Sequence, residues 1–146
     1  MTGVQTCALP ILSSPDVTGD KDDGLLTMDK VITLKLDADW VVLSACNTAA
    51  GEGAGSEAVS GLGRAFFFAG AKALLVSNWP VDSVASRTMM TDLFRNQQKA
   101  QGASKAELLR QAMLNQIDQG GMKEGGNIKY AYAHPLFWAP FVVVGD

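Results

Sequence analysis

The chain lacks any apolar run near the roughly 20 residues needed to span a bilayer, and its Met1 end lacks the basic flank and long apolar stretch of a signal peptide. It has little histidine, one residue (His134), and little cysteine, two residues (Cys7 and Cys46). Lys and Arg are scattered and the formal charge is -3, so there is no basic stripe for nucleic acid and no polybasic anchor for a membrane. No nucleic-acid or membrane partner is expected, and the reading is a cytoplasmic protein with reduced thiols. No group of Cys, His and carboxylates has metal-ligand spacing, so neither a metal nor a cofactor is expected.

What is present is a globular composition. At 146 residues with 47% hydrophobic side chains, the chain is one domain's worth and can bury a core. The first eleven residues, MTGVQTCALPI, back-translate to a common sequencing-adapter oligonucleotide read in frame. Met1 to Ile11 is therefore expected to be an artefact, with the natural sequence running from near Leu12 and lacking what preceded it.

Ser13 to Gly24, rich in Asp, Gly, Ser and Pro, reads as an exposed loop. In Leu25 to Leu36, Thr27 is placed to cap a short helix from Met28 whose apolar face is Val31, Ile32, Leu34 and Leu36. Trp40 to Ala45 is a continuous apolar run, the mark of a fully buried strand, followed by a loop from Cys46 to Gly55. A helix is expected from Ser56 as N-cap to Gly70 as stop, then a buried strand Ala73 to Ser77. Strand, helix, strand at this spacing implies a right-handed crossover and parallel pairing. Asp82 or Ser83 caps a helix to about Lys99, and Ser104 with Glu107 forms a capping box for one from Lys105 to about Gln119. Gly120 to Lys129 reads as a loop and Pro140 to Val144 as a closing strand. The expected architecture is α/β, a mainly parallel sheet with helices on both faces.

Cys46 is the first candidate for chemistry, because the carboxyl ends of strands are where open α/β sheets place their sites. A buried cysteine is also commonly an inert small hydrophobe. As a nucleophile it needs a base within reach, an oxyanion site of backbone N–H groups and open space for a carbonyl. His134 is the sole imidazole, and the alternative for it is a structural role fixing the loop before Trp138 and Phe141. Asp82 is either a helix N-cap or a pocket carboxylate, and Trp79 shares its segment after the second strand. The Gly51 to Gly55 loop precedes a helix as a phosphate cradle would, but GxGxxG fails at its last glycine and no P-loop Lys-Ser/Thr pair follows.

Several segments in this order carry a resemblance: Asp23-Gly24-Leu25-Leu26-Thr27, Asp39 to Thr48, Gly51-Glu52-Gly53, Gly61-Leu62-Gly63-Arg64-Ala65-Phe66 and Ala69-Gly70-Ala71. Asn78 to Asp82, His134-Pro135, Trp138-Ala139-Pro140-Phe141 and Val144-Gly145-Asp146 complete it. From about Asp22 to its last residue the chain resembles the C-terminal part of the CHAT family, bacterial caspase-like cysteine peptidase domains that often follow tetratricopeptide (TPR) repeats. The resemblance implies a caspase-like three-layer sandwich whose N-terminal strands are missing, with Cys46 as nucleophile. It implies Trp79 and Asp82 as walls of the substrate pocket, where Asp82 would suit a basic side chain. The family's base is a histidine in a His-Gly pair ending the preceding strand. This sequence has no such pair, and His134 matches a later His-Pro motif. The implied function is a fragment of a cysteine endopeptidase, inactive by itself, with a protein or peptide substrate and TPR repeats or a partner protein as activator. The alternative is a non-catalytic caspase-like interaction module. A nucleotide-binding domain on the Gly51 to Gly55 loop is a third reading.

Overall fold

The computed structural model describes residues 26–43, 61–100, 102–125 and 127–145. The expectations for Met1 to Ile11, the Ser13 to Gly24 loop, the Cys46 to Gly55 loop and the Ser56 cap lie outside the described residues.

The centre of the molecule is the strand β2, Ala73–Ser77, all five of whose residues are buried. It pairs in parallel with β1, Val41–Leu43, in the register Val41 to Leu74, Val42 to Leu75 and Leu43 to Val76. On its other side it pairs antiparallel with β5, Phe141–Gly145, from Ala73 opposite Gly145 to Ser77 opposite Phe141. Successive strand residues point to opposite faces, and the two cores follow that alternation. Leu74 and Val76, flanked by Val41, Leu43, Val142 and Val144, pack with Val31 of α1 (Met28–Ile32) and with Ala65 and Phe66 of α2 (Gly61–Phe68). Leu75 and Phe141, flanked by Val42 and Val143, pack on the other side with Met89, Leu93, Leu109 and Ala112. Those four belong to α3, Ser83–Lys99, and α4, Lys105–Asp118. Helices thus cover both faces of the sheet, as expected.

The helix boundaries follow local chemistry. Asp82, in extended backbone, accepts from the Val84 and Ala85 N–H groups at 3.1 and 2.8 Å and starts α3, whose buried stripe is Ala85, Met89 and Leu93. Ser104 Oγ accepts from the Glu107 N–H at 3.2 Å and starts α4. The other half of a capping box does not form there. The Glu107 carboxylate instead accepts two bonds from the Arg110 guanidinium, both 2.7 Å, and one from the Gln111 amide, which hold its pKa down at about 2. Thr27 precedes α1 as expected, but its side chain makes no cap bond, and α1 ends at Ile32. Gly70 terminates α2 with φ of 107°, and a Cβ there would run into the Leu36 carbonyl oxygen.

Three further expectations are corrected. The run read as a fully buried strand is only half-buried in β1, at Val41, Val42 and Leu43. The sheet of β1, β2 and β5 is mixed, one parallel and one antiparallel pair, instead of mainly parallel. The chain reaches Phe141 beside the end of β2, where the Asn78 N–H donates to the Pro140 carbonyl at 2.9 Å, so the last strand runs back along β2. The stretch from Gly120 to Lys129, read as a loop, contains β3 (Gly121–Glu124) and the start of β4 (Asn127–Ala131), an antiparallel hairpin. Gly121 is needed there because a Cβ would strike the Tyr130 carbonyl of the facing strand. All five residues of β4 are exposed. Among the described residues no helix is long and apolar enough to cross a membrane.

The α4 stripe ends in an oddity. Gln116 is fully buried, and among the described residues neither its amide nitrogen nor its oxygen has a hydrogen-bond partner. An unpartnered buried amide is a net cost to the folded state. Gln116→Met, which keeps the shape and removes the amide, is expected to raise the stability of the chain by about 1 kcal/mol. Urea denaturation checks this, and an unchanged or lowered midpoint contradicts it.

Candidate functional site

Parallel pairing of β1 and β2 brings their carboxyl ends to the same edge of the sheet, Leu43 beside Val76. The antiparallel β5 begins at that edge, with Phe141 opposite Ser77. The segment Asn78 to Asp82 leaves β2 there, and Leu43, the last described residue of β1, stands three residues before Cys46 in the sequence. Cys46 itself lies outside the described residues.

The segment after β2 is fastened to the short helix α5, Pro135–Trp138. Asn78 donates twice to the Pro140 carbonyl, from its backbone N–H at 2.9 Å and its side-chain amide at 3.3 Å. The half-buried Trp79 donates its indole Nε1–H to the Leu136 carbonyl at 3.3 Å. Within this corner Trp138 Nε1–H donates to the Ala133 carbonyl at 3.1 Å. The effect is a ring of local bonds that joins residues 78–79 to 133–140.

His134 is the N-cap of α5: its Nδ1 accepts the Leu136 N–H at 3.2 Å, and Pro135 follows at the first helical position. An Nδ1 that accepts carries no proton, so the imidazole is the Nε2–H tautomer in this arrangement. This is the structural role weighed for His134 in the sequence. Beside it, Lys129, Tyr130, Ala131, His134, Leu136 and Phe137 line an open groove of about 320 Å³. Tyr130 and Phe137 form its aromatic wall, their rings tilted at 6.2 Å, and the buried Tyr132 backs Phe137 edge-on at 5.3 Å.

Asp82 is exposed at the end of the same segment, and its carboxylate is engaged by the two backbone N–H groups that begin α3. Trp79 and Asp82 thus sit on one segment, Trp79 turned to α5 and Asp82 to α3. Among the described residues no group of three or more His, Cys, Asp or Glu is disposed to hold a metal ion.

Sequence reasoning did not find the Asn78 clamp on Pro140 or the Trp79 bond to Leu136, because a backbone carbonyl acceptor leaves no mark on residue type. The His-Pro pair did carry a usable signal, a cap residue followed by proline at the first helical position. As an N-cap, Asp82 makes a distinct prediction. Asp82→Ala is expected to lower stability by about 1 kcal/mol and Asp82→Asn by only a few tenths. Thermal unfolding of both variants checks this, and equal losses contradict it.

Comparison with known proteins agrees with the resemblance read from the motifs. Residues 9–146 match the family described as CHAT domain. The chain is similar to tetratricopeptide repeat protein 28 of Mus musculus, 31% identical over 122 residues, covering 84% of this chain and 4% of that protein. The Homo sapiens protein of the same name is 32% identical over 122 residues, with the same coverage of 84% and 4%. The chain therefore spans about 4% of the length of these relatives. Both are mammalian, so they give no support to the bacterial source that the resemblance implies. No solved structure matches. With its motifs in family order and nearly its whole length matched, the chain belongs to the CHAT domain family.

Proposed function

We propose that this chain is the nucleophile-bearing part of a cysteine endopeptidase domain with a caspase-like three-layer fold, and that Cys46 is the nucleophile. The observation that carries the reading is the parallel β1–β2 pair, which sends the chain leading to Cys46 and the segment bearing Trp79 off one sheet edge. In the reaction the Cys46 thiolate forms a bond to the carbonyl carbon of a peptide, and the C–N bond breaks as the leaving amine takes a proton from an imidazolium. Water then releases the acyl group and regenerates the thiol. Backbone N–H groups, that of Cys46 among them, stabilise the oxyanion. Trp79 and Asp82 wall the pocket for the residue before the scissile bond.

The proton carrier is not in these 146 residues. Their single histidine is His134, and its Nδ1 is occupied by the Leu136 N–H. The base belongs to a His-Gly pair in chain outside them, and the intact parent, a cytoplasmic protein, is switched on by TPR repeats or a partner protein. A non-catalytic interaction module is the second reading. It is favoured by the same engaged histidine together with the exposed apolar side chains Tyr130 and Leu136 that line the groove.

The purified 146-residue chain is expected to cleave no member of a fluorogenic peptide library, and Cys46→Ala is expected to look the same. A longer chain that includes the His-Gly strand is expected to cleave in a Cys46-dependent manner. Cleavage by the short chain that is lost in Cys46→Ala refutes the missing base. An inert longer chain with its His-Gly intact makes the interaction module the better account.

A further inference from the structure

Leu136 is held at both of its backbone polar groups. Its N–H donates to His134 Nδ1 at 3.2 Å, and its carbonyl accepts the Trp79 indole N–H at 3.3 Å. The Leu136 side chain is largely exposed, so packing does little to fix this residue. Helix α5 has only four residues, Pro135 to Trp138, and a helix this short has no cooperative reserve. Its backbone bonds, Phe137 N–H to the His134 carbonyl at 3.1 Å and Ala139 N–H to the Pro135 carbonyl at 2.9 Å, bypass Leu136, so the cap is the bond that holds the Leu136 peptide and with it the orientation of its carbonyl.

We infer that His134 is a positioning residue for Trp79: by capping α5 through the Leu136 N–H, it fixes the carbonyl that anchors the Trp79 indole. Resting on the reading of Trp79 as a wall of the substrate pocket, this assigns His134 a part in pocket shape from outside the reacting atoms. The route is short and fully named: imidazole to N–H, across one peptide residue, carbonyl to indole. The other end of the corner is held independently by the two Asn78 bonds to Pro140. Loss of the cap therefore releases the Trp79 ring selectively, while the end of β2 stays on β5.

Solvent exchange of the three indole N–H protons, resolved in a ¹H–¹⁵N spectrum of the full chain, tests this. Trp79 is assigned with Trp79→Phe. Trp40, half-buried against the α3 and α4 core with its ring edge-on to Phe94 at 5.7 Å, reports whether the fold is intact. In His134→Ala the Trp79 indole is expected to exchange on the order of tenfold faster, the worth of one N-cap bond, with Trp40 unchanged. In His134→Asn, whose side-chain oxygen can accept the same N–H, protection of Trp79 is expected to return. Unchanged Trp79 exchange in His134→Ala overturns the inference. So does equal acceleration at Trp79 and Trp40, or failure of asparagine to restore protection. The readout needs neither peptide nor turnover, so it can fail while the peptidase reading stands, and the cleavage test can fail while this one stands.

Discussion

Everything in this molecule hangs on a strand of five residues with no exposed surface. Ala73 to Ser77 has no solvent side, so its alternating side chains must be satisfied by two separate cores, Leu74 and Val76 toward α1 and α2, Leu75 toward α3 and α4. Burying one large aliphatic side chain contributes roughly 1.5–3 kcal/mol, and a shift of one residue would move each of these to the wrong layer. The register is fixed on both sides at once, by β1 and by β5. The same constraint determines which chain ends meet at which edge.

That edge is where the fold becomes useful. One parallel neighbour and one antiparallel neighbour bring three chain segments to it: the carboxyl end of β1, the exit of β2 and the approach to β5. The last two are tied by bonds from Asn78 and Trp79 to the carbonyls of Pro140 and Leu136. A segment held this way has a rigid base in β2 and a brace in α5. The brace depends on a histidine that caps a helix, which removes that histidine from the proton traffic of the proposed reaction and gives it a geometric task instead.

Some of this was legible in the residues and some was not, for reasons that can be named. β2 and α3 match their expected spans because each carries its own punctuation: an unbroken apolar run in one, an aspartate cap and a stripe at Ala85, Met89 and Leu93 in the other. Strand direction is not written in composition, so β5 was legible as a strand but not as an antiparallel one. β4 was missed because its alternation, Ile128-Lys129-Tyr130, is too short to stand out, and the glycines before it suggested a loop. Of the candidate site, Trp79 and Asp82 were legible as neighbours in sequence. The Asp82 cap on the first N–H groups of α3 was legible too, whereas the Trp79 bond to a carbonyl of α5 became visible only in three dimensions. Cys46 was singled out by its place after an apolar strand, and it lies outside the described residues.

The central claim is that Cys46 and Trp79 share one edge of the sheet. The direct measurement attaches a nitroxide to Cys46 in a Cys7→Ser chain and compares broadening of the Trp79 and Trp40 indole signals. Trp40 stands at the opposite end of β1, one residue before Val41. Strong broadening of Trp79 with Trp40 much less affected is the predicted result. Broadening of Trp40 equal to or greater than that of Trp79 would contradict the account, and with it the assignment of Cys46 to a site at this edge.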